Sequence, residues 1–139
     1  MAIERTLCMI KPDAVGSRKQ GAILQHILDD GFELLAMRQL RLSKRIVEAF
    51  YAVHTAQPFF GDLVEFMSSG PVVVAALQRE SAVARYRALI GTTNPLKAAP
   101  GSLRQLYGES IDRNAVHGSD SVENGLVEVS FFFAGVELG

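Results

Sequence analysis

The sequence predicts an α/β protein in which helices cover one face of a four-stranded sheet. Short apolar or β-branched runs, typical of buried strands, alternate along the chain with segments whose apolar residues recur at helical spacing. Of the 139 residues, 48% are hydrophobic and 21% are charged, which is typical of a globular protein. No repeat, low-complexity stretch or linker interrupts the chain, so we expect a single domain over residues 1–139.

The first part of the chain predicts two strands separated by a helix. An apolar run predicts a strand over 5–11, and Pro12 should end it because proline restricts the residue before it to extended conformations. A helix follows over 21–30, where apolar residues recur at helical spacing, and Gly31 ends it. A second strand is predicted over 32–42.

The middle of the chain predicts three helices around a third strand. A helix is predicted over 43–52 with Ser43 as its N-cap, and a second helix over 59–67. The strand over 71–77 consists almost entirely of β-branched or small residues, so we expect it to be buried on both faces. A third helix over 81–90 begins at a serine that is suited to cap it.

The last part of the chain combines a long loop with a short strand and a helix. The loop over 91–113 is rich in proline and glycine, and loops of that length in compact domains are often functional. A short strand over 115–117 and a helix over 121–134 are predicted to follow. Asp120 and Glu123 have the spacing of a capping box at the start of that helix. This pattern does not determine the order of the strands.

Charge, cysteine content and absent motifs exclude several classes of function. The net charge of −1 indicates no basic field for nucleic acid, and no segment is apolar for long enough to span a membrane. Cys8 is the single cysteine, so no intrachain disulfide can form, and the N-terminus does not resemble a signal peptide. We therefore expect a cytoplasmic protein. The dinucleotide, P-loop and zinc-binding motifs are absent, as is the nucleophile elbow.

The stretch NAVHGSDS, over 114–121, contains one of the three histidines and raises two interpretations. In the first, His117 lies at the surface beside an ordinary helix cap. In the second, Gly118 permits close approach of a ligand and the helix N-terminus favours an anion. Glu128, eleven residues further on, could then orient the imidazole of His117 for nucleophilic chemistry. These residues alone leave both interpretations open.

Other candidate residues are equally open when each is taken by itself. Cations on strand ends, helices and loops are usually solvated, although an arginine in a loop is well suited to bind phosphate. Aromatic side chains and histidines on helices are often partly buried without any function. The candidates of these two kinds are Lys11, Arg87, Arg104, Tyr51, His54, Phe59 and Phe60.

Taken together, six stretches of the sequence resemble the nucleoside diphosphate kinase family. They occur in the order and at the spacing of that family, from about residue 3 to 134. The stretches are IKPDAV at 10–15, FYAVH at 50–54, PFFGDLVEFMSSGPVVV at 58–74, GTTNP at 91–95, AAPGSLR at 98–104 and NAVHGSDS at 114–121.

The resemblance implies both a fold and a reaction. The fold would be a ferredoxin-like α/β sandwich with a four-stranded antiparallel sheet covered by helices. The γ-phosphoryl group of a nucleoside triphosphate would pass to a nucleoside diphosphate in a ping-pong reaction, through a phosphohistidine at His117. Mg²⁺ would be carried by the nucleotide phosphates, with no metal site in the protein. The protein would form a dimer, tetramer or hexamer, and would require neither nucleic acid nor a membrane.

The resemblance also implies roles for individual residues. Lys11, Arg87 and Arg104 would supply positive charge around the phosphates, which matters because phosphoryl transfer depends on positioning and charge stabilisation. Around the reacting histidine, Glu128 would orient the imidazole, Ser119 would support the site and Tyr51 would lie close by.

Further residues would bind the nucleotide. Thr93 and His54 would donate to phosphate oxygens and Asn114 would bind the ribose. Phe59 would stack on the base, with Leu63 and Ile111 as apolar neighbours. Stacking tolerates every base, so broad nucleotide use is expected.

The sequence departs from the family pattern at four places, which are 17–20, 55–57, Leu106 and Gly125. None of them removes a predicted catalytic residue. Leu106 stands where an aspartate is common, which bears on loop anchoring and subunit contacts. Gly125 should cost the last helix about 1 kcal/mol relative to alanine. A nucleotide- or nucleic-acid-binding protein without turnover is the alternative function on the same scaffold.

Overall fold

The computed structural model describes residues 2–139, and Met1, the first residue of the predicted domain, lies outside them. Its sheet has four strands, all paired antiparallel in the order β2-β3-β1-β4. The strands are β1 (Ile3–Ile10), β2 (Glu33–Arg41), β3 (Pro71–Glu80) and β4 (Val116–Gly118). The helices are α1 (Pro12–Gly16), α2 (Gln20–Asp29), α3 (Lys44–Phe50), α4 (Phe60–Met67), α5 (Ala82–Ile90), α6 (Leu103–Tyr107) and α7 (Val122–Phe132).

Helices pack on both faces of the sheet, so the predicted one-sided arrangement is wrong. Successive side chains of a strand point to opposite faces, and those of β1 and β3 are apolar on each. Cys8 and Ile10 pack with α2 and α5, whereas Leu7 and Met9 pack with α3, α4 and α7. The predicted burial of β3 on both faces is confirmed and is the reason that two helical layers are needed.

The long segment over 91–113 contains regular structure that was not predicted. A 3₁₀ turn spans Pro95–Lys97, and α6 follows. Side chains cap both, since Asn94 Oδ1 accepts from the Leu96 amide and Ser102 Oγ from the Gln105 amide. The segment is therefore ordered by local hydrogen bonds that proline and glycine content alone did not indicate.

Two of the predicted helix caps are wrong, and one is confirmed. Ser43 Oγ accepts from the Ile46 amide as predicted. At α7 the cap is Ser121, which accepts from the Asn124 amide, so Asp120 and Glu123 do not form a capping box. Ser81 precedes α5 with a φ of 52° and makes no side-chain cap, and Glu4 Oε1 accepts from the Val83 amide instead.

Gly125 has a packing role that the helix-propensity argument missed. It faces β1, and a Cβ atom there would collide with the carbonyl oxygen of Arg5. The glycine thus allows α7 to lie close against the backbone of β1.

None of the helices described over residues 2–139 combines the length and apolar character needed to cross a lipid bilayer.

Candidate active site

One cavity of about 690 Å³ brings the predicted site residues together. All the candidates except Ser119 and Phe60 line it. Ser119 is buried behind the lining, and Phe60 packs against the hydrophobic core. The predicted residues on the lining are Lys11, Tyr51, His54, Phe59, Leu63, Arg87, Thr93, Arg104, Ile111, Asn114, His117 and Glu128. The cavity brings these residues together, and their individual roles stay predictions.

His117 is positioned by the pairing of β4 with β1. It lies opposite Met9 in the antiparallel register, and its side chain therefore projects on the same face as that of Met9. On this face α7 approaches, and His117 Nε2 lies 2.7 Å from Glu128 Oε1. No partner of the other ring nitrogen, Nδ1, exists among the residues described by the structure. The carboxylate accepts a hydrogen bond, so Nε2 carries the ring proton and donates it, which leaves the lone pair on Nδ1.

A chain of hydrogen bonds holds Glu128 in place. The Leu7 amide donates to Ser119 Oγ over 3.1 Å, and Ser119 Oγ donates to Glu128 Oε1 over 2.8 Å. Ser119 is fully buried, so these bonds are shielded from water. The orientation of the imidazole is therefore fixed through Glu128 to the backbone of the central strand β1.

Gly118 is required for packing on the opposite face of the sheet. A Cβ atom there would lie 2.8 Å from the ring of Tyr86. Its φ is not left-handed, so the backbone conformation here does not require glycine. The glycine allows β4 to lie against α5, which helps to fix the strand that carries His117.

Aromatic rings enclose the imidazole. Phe50 and Tyr51 meet it edge-on, with ring centroids 5.5 and 6.3 Å from that of His117. Burial, with a smaller effect of the Glu128 charge, raises the pKa of Tyr51 well above its ordinary value. Tyr51 is therefore neutral at physiological pH.

Lys11 lies at the junction of β1 and α1 and is tied to the loop beside it. Lys11 Nζ donates to Asn114 Oδ1 over 2.8 Å, and Asn114 Nδ2 donates to the Thr93 carbonyl over 3.1 Å. Burial, and then the charge of Arg104, lower the pKa of Lys11 to about 8. The ammonium is still charged at neutral pH. Its hydrogen-bond partner, the Asn114 amide, is neutral, so the charge is available to an anion.

Arg104 connects the long loop to β4. Its Nη1 donates to the Gly91 carbonyl over 3.1 Å and its Nη2 to the Val116 carbonyl over 2.9 Å. Each Nη carries a second hydrogen that remains available to a ligand. With Lys11 and Arg87, Arg104 concentrates positive charge at one end of the cavity. We call the lining residues Lys11, Asn114, His117 and Glu128 the reaction wall.

The other end of the cavity is mostly apolar and more open. The ring of Phe59 is 47% exposed and lies 5.6 Å from that of His54, centroid to centroid. Ile111, which is 56% exposed, also lines the cavity. We call Phe59, Leu63 and Ile111 the base wall. An exposed ring beside aliphatic side chains can take up a planar base by stacking.

Several lining residues were not predicted. Phe50 and Val53 flank predicted positions in the same short stretch, and Phe66 lies one helical turn after Leu63, so spacing could have indicated them. Gly118 was expected to permit close approach of a ligand, and Asp120 was assigned only to a helix cap. Asp62, Asp112 and Asn124 are placed by tertiary packing and had no signal of their own.

The chain is similar to known proteins over almost its whole length. The family model described as nucleoside diphosphate kinase matches residues 4–138. A nucleoside diphosphate kinase of Xanthobacter autotrophicus is 53% identical over 138 residues, covering 99% of each chain. One of Chlamydia muridarum is 55% identical over 136 residues, covering 98% of this chain and 96% of the other.

Solved structures show the same similarity. The nucleoside diphosphate kinase of Aquifex aeolicus superposes with a TM-score of 0.97 at 43% identity, covering 99% of this chain and 100% of the other. That of Halobacterium salinarum, in complex with CDP, gives 0.94 at 34% identity, covering 99% and 92%. The predicted ferredoxin-like fold with an antiparallel sheet is thereby confirmed. The chain belongs to the nucleoside diphosphate kinase family, and its members are transferases that act on nucleotides.

Proposed function

We propose that this protein transfers the γ-phosphoryl group of a nucleoside triphosphate to a nucleoside diphosphate in two steps, through a phosphohistidine at His117. The observation that carries the proposal is the 2.7 Å contact between His117 Nε2 and Glu128 Oε1 on the wall of a nucleotide-sized cavity. This contact leaves Nδ1 as the nitrogen with a lone pair, so Nδ1 is the nucleophile.

In the first step the lone pair of Nδ1 forms a bond to the γ-phosphorus. The bond from that phosphorus to the oxygen shared with the β-phosphate breaks, and the nucleoside diphosphate leaves with the electron pair. In the second step a β-phosphate oxygen of another nucleoside diphosphate attacks the phosphohistidine, and the N–P bond breaks. Nε2 keeps its proton throughout, because Glu128 accepts its hydrogen bond, and the ring returns to its starting state.

Three cations support both steps. Lys11, Arg87 and Arg104 lie around the same end of the cavity and stabilise the charge of the transferring group. Thr93 and His54 donate to other phosphate oxygens, and Asn114 binds the ribose. At the base wall, Phe59 stacks on the base with Leu63 and Ile111 beside it, and stacking accommodates all common bases.

Magnesium accompanies the nucleotide in this proposal. Among residues 2–139, no group of three or more His, Cys, Asp or Glu side chains is placed to hold a metal ion. The donor set in the cavity instead fits a metal bound chiefly to phosphate oxygens, whose remaining charge the Lys and Arg side chains take up. When bound, Mg²⁺ neutralises phosphate charge and thereby aids nucleophilic attack.

We further propose a single cytoplasmic domain that assembles into a dimer, tetramer or hexamer and needs neither nucleic acid nor a membrane. The single cysteine, Cys8, is buried and reduced, in keeping with a reducing compartment. Leu106 projects from α6 with 45% of its surface exposed, which suits a subunit contact. Sedimentation of wild type and Leu106→Asp tests this contact. An unchanged oligomer of unchanged stability would remove Leu106 from the interface.

The covalent step is tested by incubating the protein with γ-labelled ATP and Mg²⁺ in the absence of an acceptor. An acid-labile, alkali-stable label that moves to added GDP is expected, and His117→Ala should abolish it while nucleotide binding persists. Absence of label in a protein that still binds ATP would contradict the proposal. It would favour the alternative of a nucleotide-binding protein without turnover.

A further inference from the structure

Asp13 lies outside the cavity, yet it contacts the backbone that leads into the reaction wall. It is the second residue of α1, two positions after Lys11, and its side chain is half-buried. Its Oδ2 accepts a hydrogen bond from the Ala115 amide over 3.1 Å. Asp13 itself does not line the cavity.

Ala115 occupies a strained conformation. Its φ is 74°, in the left-handed region that residues with a Cβ atom rarely adopt. The Val116 amide donates to the Asn114 carbonyl over 2.9 Å, which makes Ala115 the centre of a three-residue turn. This form of the turn, with a positive φ at its centre, is rare and strained. A conformation of this kind persists only where the surroundings hold it.

The segment 11–13 holds the Ala115 residue from both sides. The Lys11 amide donates to the Ala115 carbonyl over 2.8 Å, while Asp13 accepts from the Ala115 amide. Ala115 is fully buried, so water cannot replace either partner. Burial raises the pKa of Asp13, because the charged carboxylate loses part of its hydration. The hydrogen bond from the Ala115 amide offsets part of this cost.

The turn sits between two residues of the reaction wall. Asn114, which precedes Ala115, bonds Lys11 Nζ and the Thr93 carbonyl. His117 follows two residues after Ala115 and bonds Glu128. Relaxation of Ala115 toward an ordinary φ would rotate the peptide groups on each side of it and displace both side chains.

We propose that Asp13 is a positioning residue for phosphoryl transfer, which keeps the Ala115 turn in its strained form and thereby places Asn114 and His117. It acts through the backbone and touches neither substrate nor reacting atom. The proposal deepens the function proposed above, since it rests on the roles assigned there to Asn114 and His117.

Glycine at position 115 provides the decisive test, because glycine adopts a positive φ without strain. We expect Asp13→Ala to lower kcat/KM by about 100-fold, the effect of a displacement near 1 Å at a reacting centre. The KM for nucleotide should rise as well, which a smaller folded fraction would not cause. Adding Ala115→Gly to Asp13→Ala should recover most of the lost kcat/KM, measured against Ala115→Gly alone.

Two control variants separate the hydrogen bond from other effects of Asp13. Asp13→Asn removes the charge but keeps a side-chain oxygen that can accept from Ala115, so it should lose less activity than Asp13→Ala. Ala99→Gly, in the exposed part of the loop, should not rescue Asp13→Ala. If Asp13→Ala fails to fold, recovery of fold and turnover by Ala115→Gly supports the proposal.

Three results would overturn the proposal. The first is a folded Asp13→Ala protein with wild-type kcat/KM, and the second is a double variant that is no better than Asp13→Ala, or that stays unfolded. The third is equal rescue by Ala99→Gly. The labelling experiment on the wild type keeps the two proposals apart. An unlabelled wild type contradicts the proposed function, whereas a labelled wild type with any of these three results contradicts only the role of Asp13.

Discussion

The reaction wall and the base wall of the cavity differ in burial and in hydrogen bonding. Asn114 is 2% exposed and makes two side-chain hydrogen bonds, and His117 and Glu128 are bonded to each other. Phe59 and Ile111, at the other wall, are 47% and 56% exposed. The reaction wall is built on β1, β4 and α7, whereas the base wall comes from α4 and from segments outside the sheet.

The difference fits the function that we propose for each wall. Phosphoryl transfer depends on charges and nucleophile held in advance at fixed positions, because reorganisation during the reaction would raise the barrier. Stacking on a base requires only an apolar surface, and exposed side chains can adjust to bases of different size. Substitutions should therefore be costly at the reaction wall and mild at the base wall.

After loss of His117 itself, the largest effect is expected for Lys11→Ala, which removes a partly buried cation from the proposed phosphate site. Loss of one preorganised charge-stabilising group costs about 100- to 1,000-fold in kcat. Wild-type kcat/KM should also fall as pH rises through about 8, because burial lowers the pKa of Lys11 to about 8 and the charge is lost there. A pH–rate profile of both proteins measures this. Persistence of the limb near pH 8 in Lys11→Ala would assign that limb to another group.

A smaller loss is expected for Glu128→Ala, which leaves the imidazole without its partner. Misorientation of a reacting group by about 1 Å costs on the order of 100-fold in turnover. Glu128→Gln is the matched control, because its side-chain oxygen can still accept from His117 and Ser119, so it should retain more activity. Steady-state rates of the two variants provide the comparison. Equal losses would show that the charge of Glu128 matters and that its orienting hydrogen bond does not.

A mild effect is expected at the base wall for Phe59→Ala. Stacking on a base contributes about 1–3 kcal/mol, and an exposed ring should fall at the low end, near fivefold in KM. The KM should rise for ATP and GTP alike while kcat changes little. Measurement of both constants with the two nucleotides checks this. A large fall in kcat would mean that the base wall also positions the reacting phosphate.

The smallest effect on turnover is expected for Gly125→Ala, which tests the packing beneath the reaction wall. A Cβ atom would collide with the Arg5 carbonyl, and overpacking of this kind lowers the free energy of unfolding by about 1–3 kcal/mol. Gly61→Ala, in α4 with open space around it, is the matched control and should be neutral or stabilising. Thermal unfolding of both variants decides the matter. A higher melting temperature for Gly125→Ala would restore the helix-propensity argument.

Local sequence patterns predicted most of the fold and could not supply its topology. Apolar runs and helical spacing placed the four strands and the main helices to within a few residues, and Ser43 was confirmed as a cap. Strand order and the two-sided covering depend on contacts between distant segments, such as the pairing of His117 with Met9. Only the resemblance to a family predicted the antiparallel ferredoxin-like arrangement.

The candidate site shows the same division. Residue types and short spacings singled out His117 and Glu128. They did not exclude a surface histidine beside an ordinary helix cap, because a separation of eleven residues does not show that α7 folds back onto β4. The contact itself depends on the packing of α7 against β1 and on Ser119, which donates to Glu128. The strained φ of Ala115 had no signal at all, since alanine is compatible with every ordinary backbone conformation.

The identity of the phosphorylated nitrogen tests the central claim most directly. Glu128 occupies Nε2, so the phosphoenzyme formed from ATP and trapped before addition of an acceptor should carry phosphate on Nδ1 of His117. Alkaline digestion that preserves phosphohistidine, followed by separation of the two isomers, identifies the position. Phosphate on Nδ1 is the predicted result. Phosphate on Nε2, or on any other residue, would contradict the assignment of Glu128 as the group that orients the nucleophile.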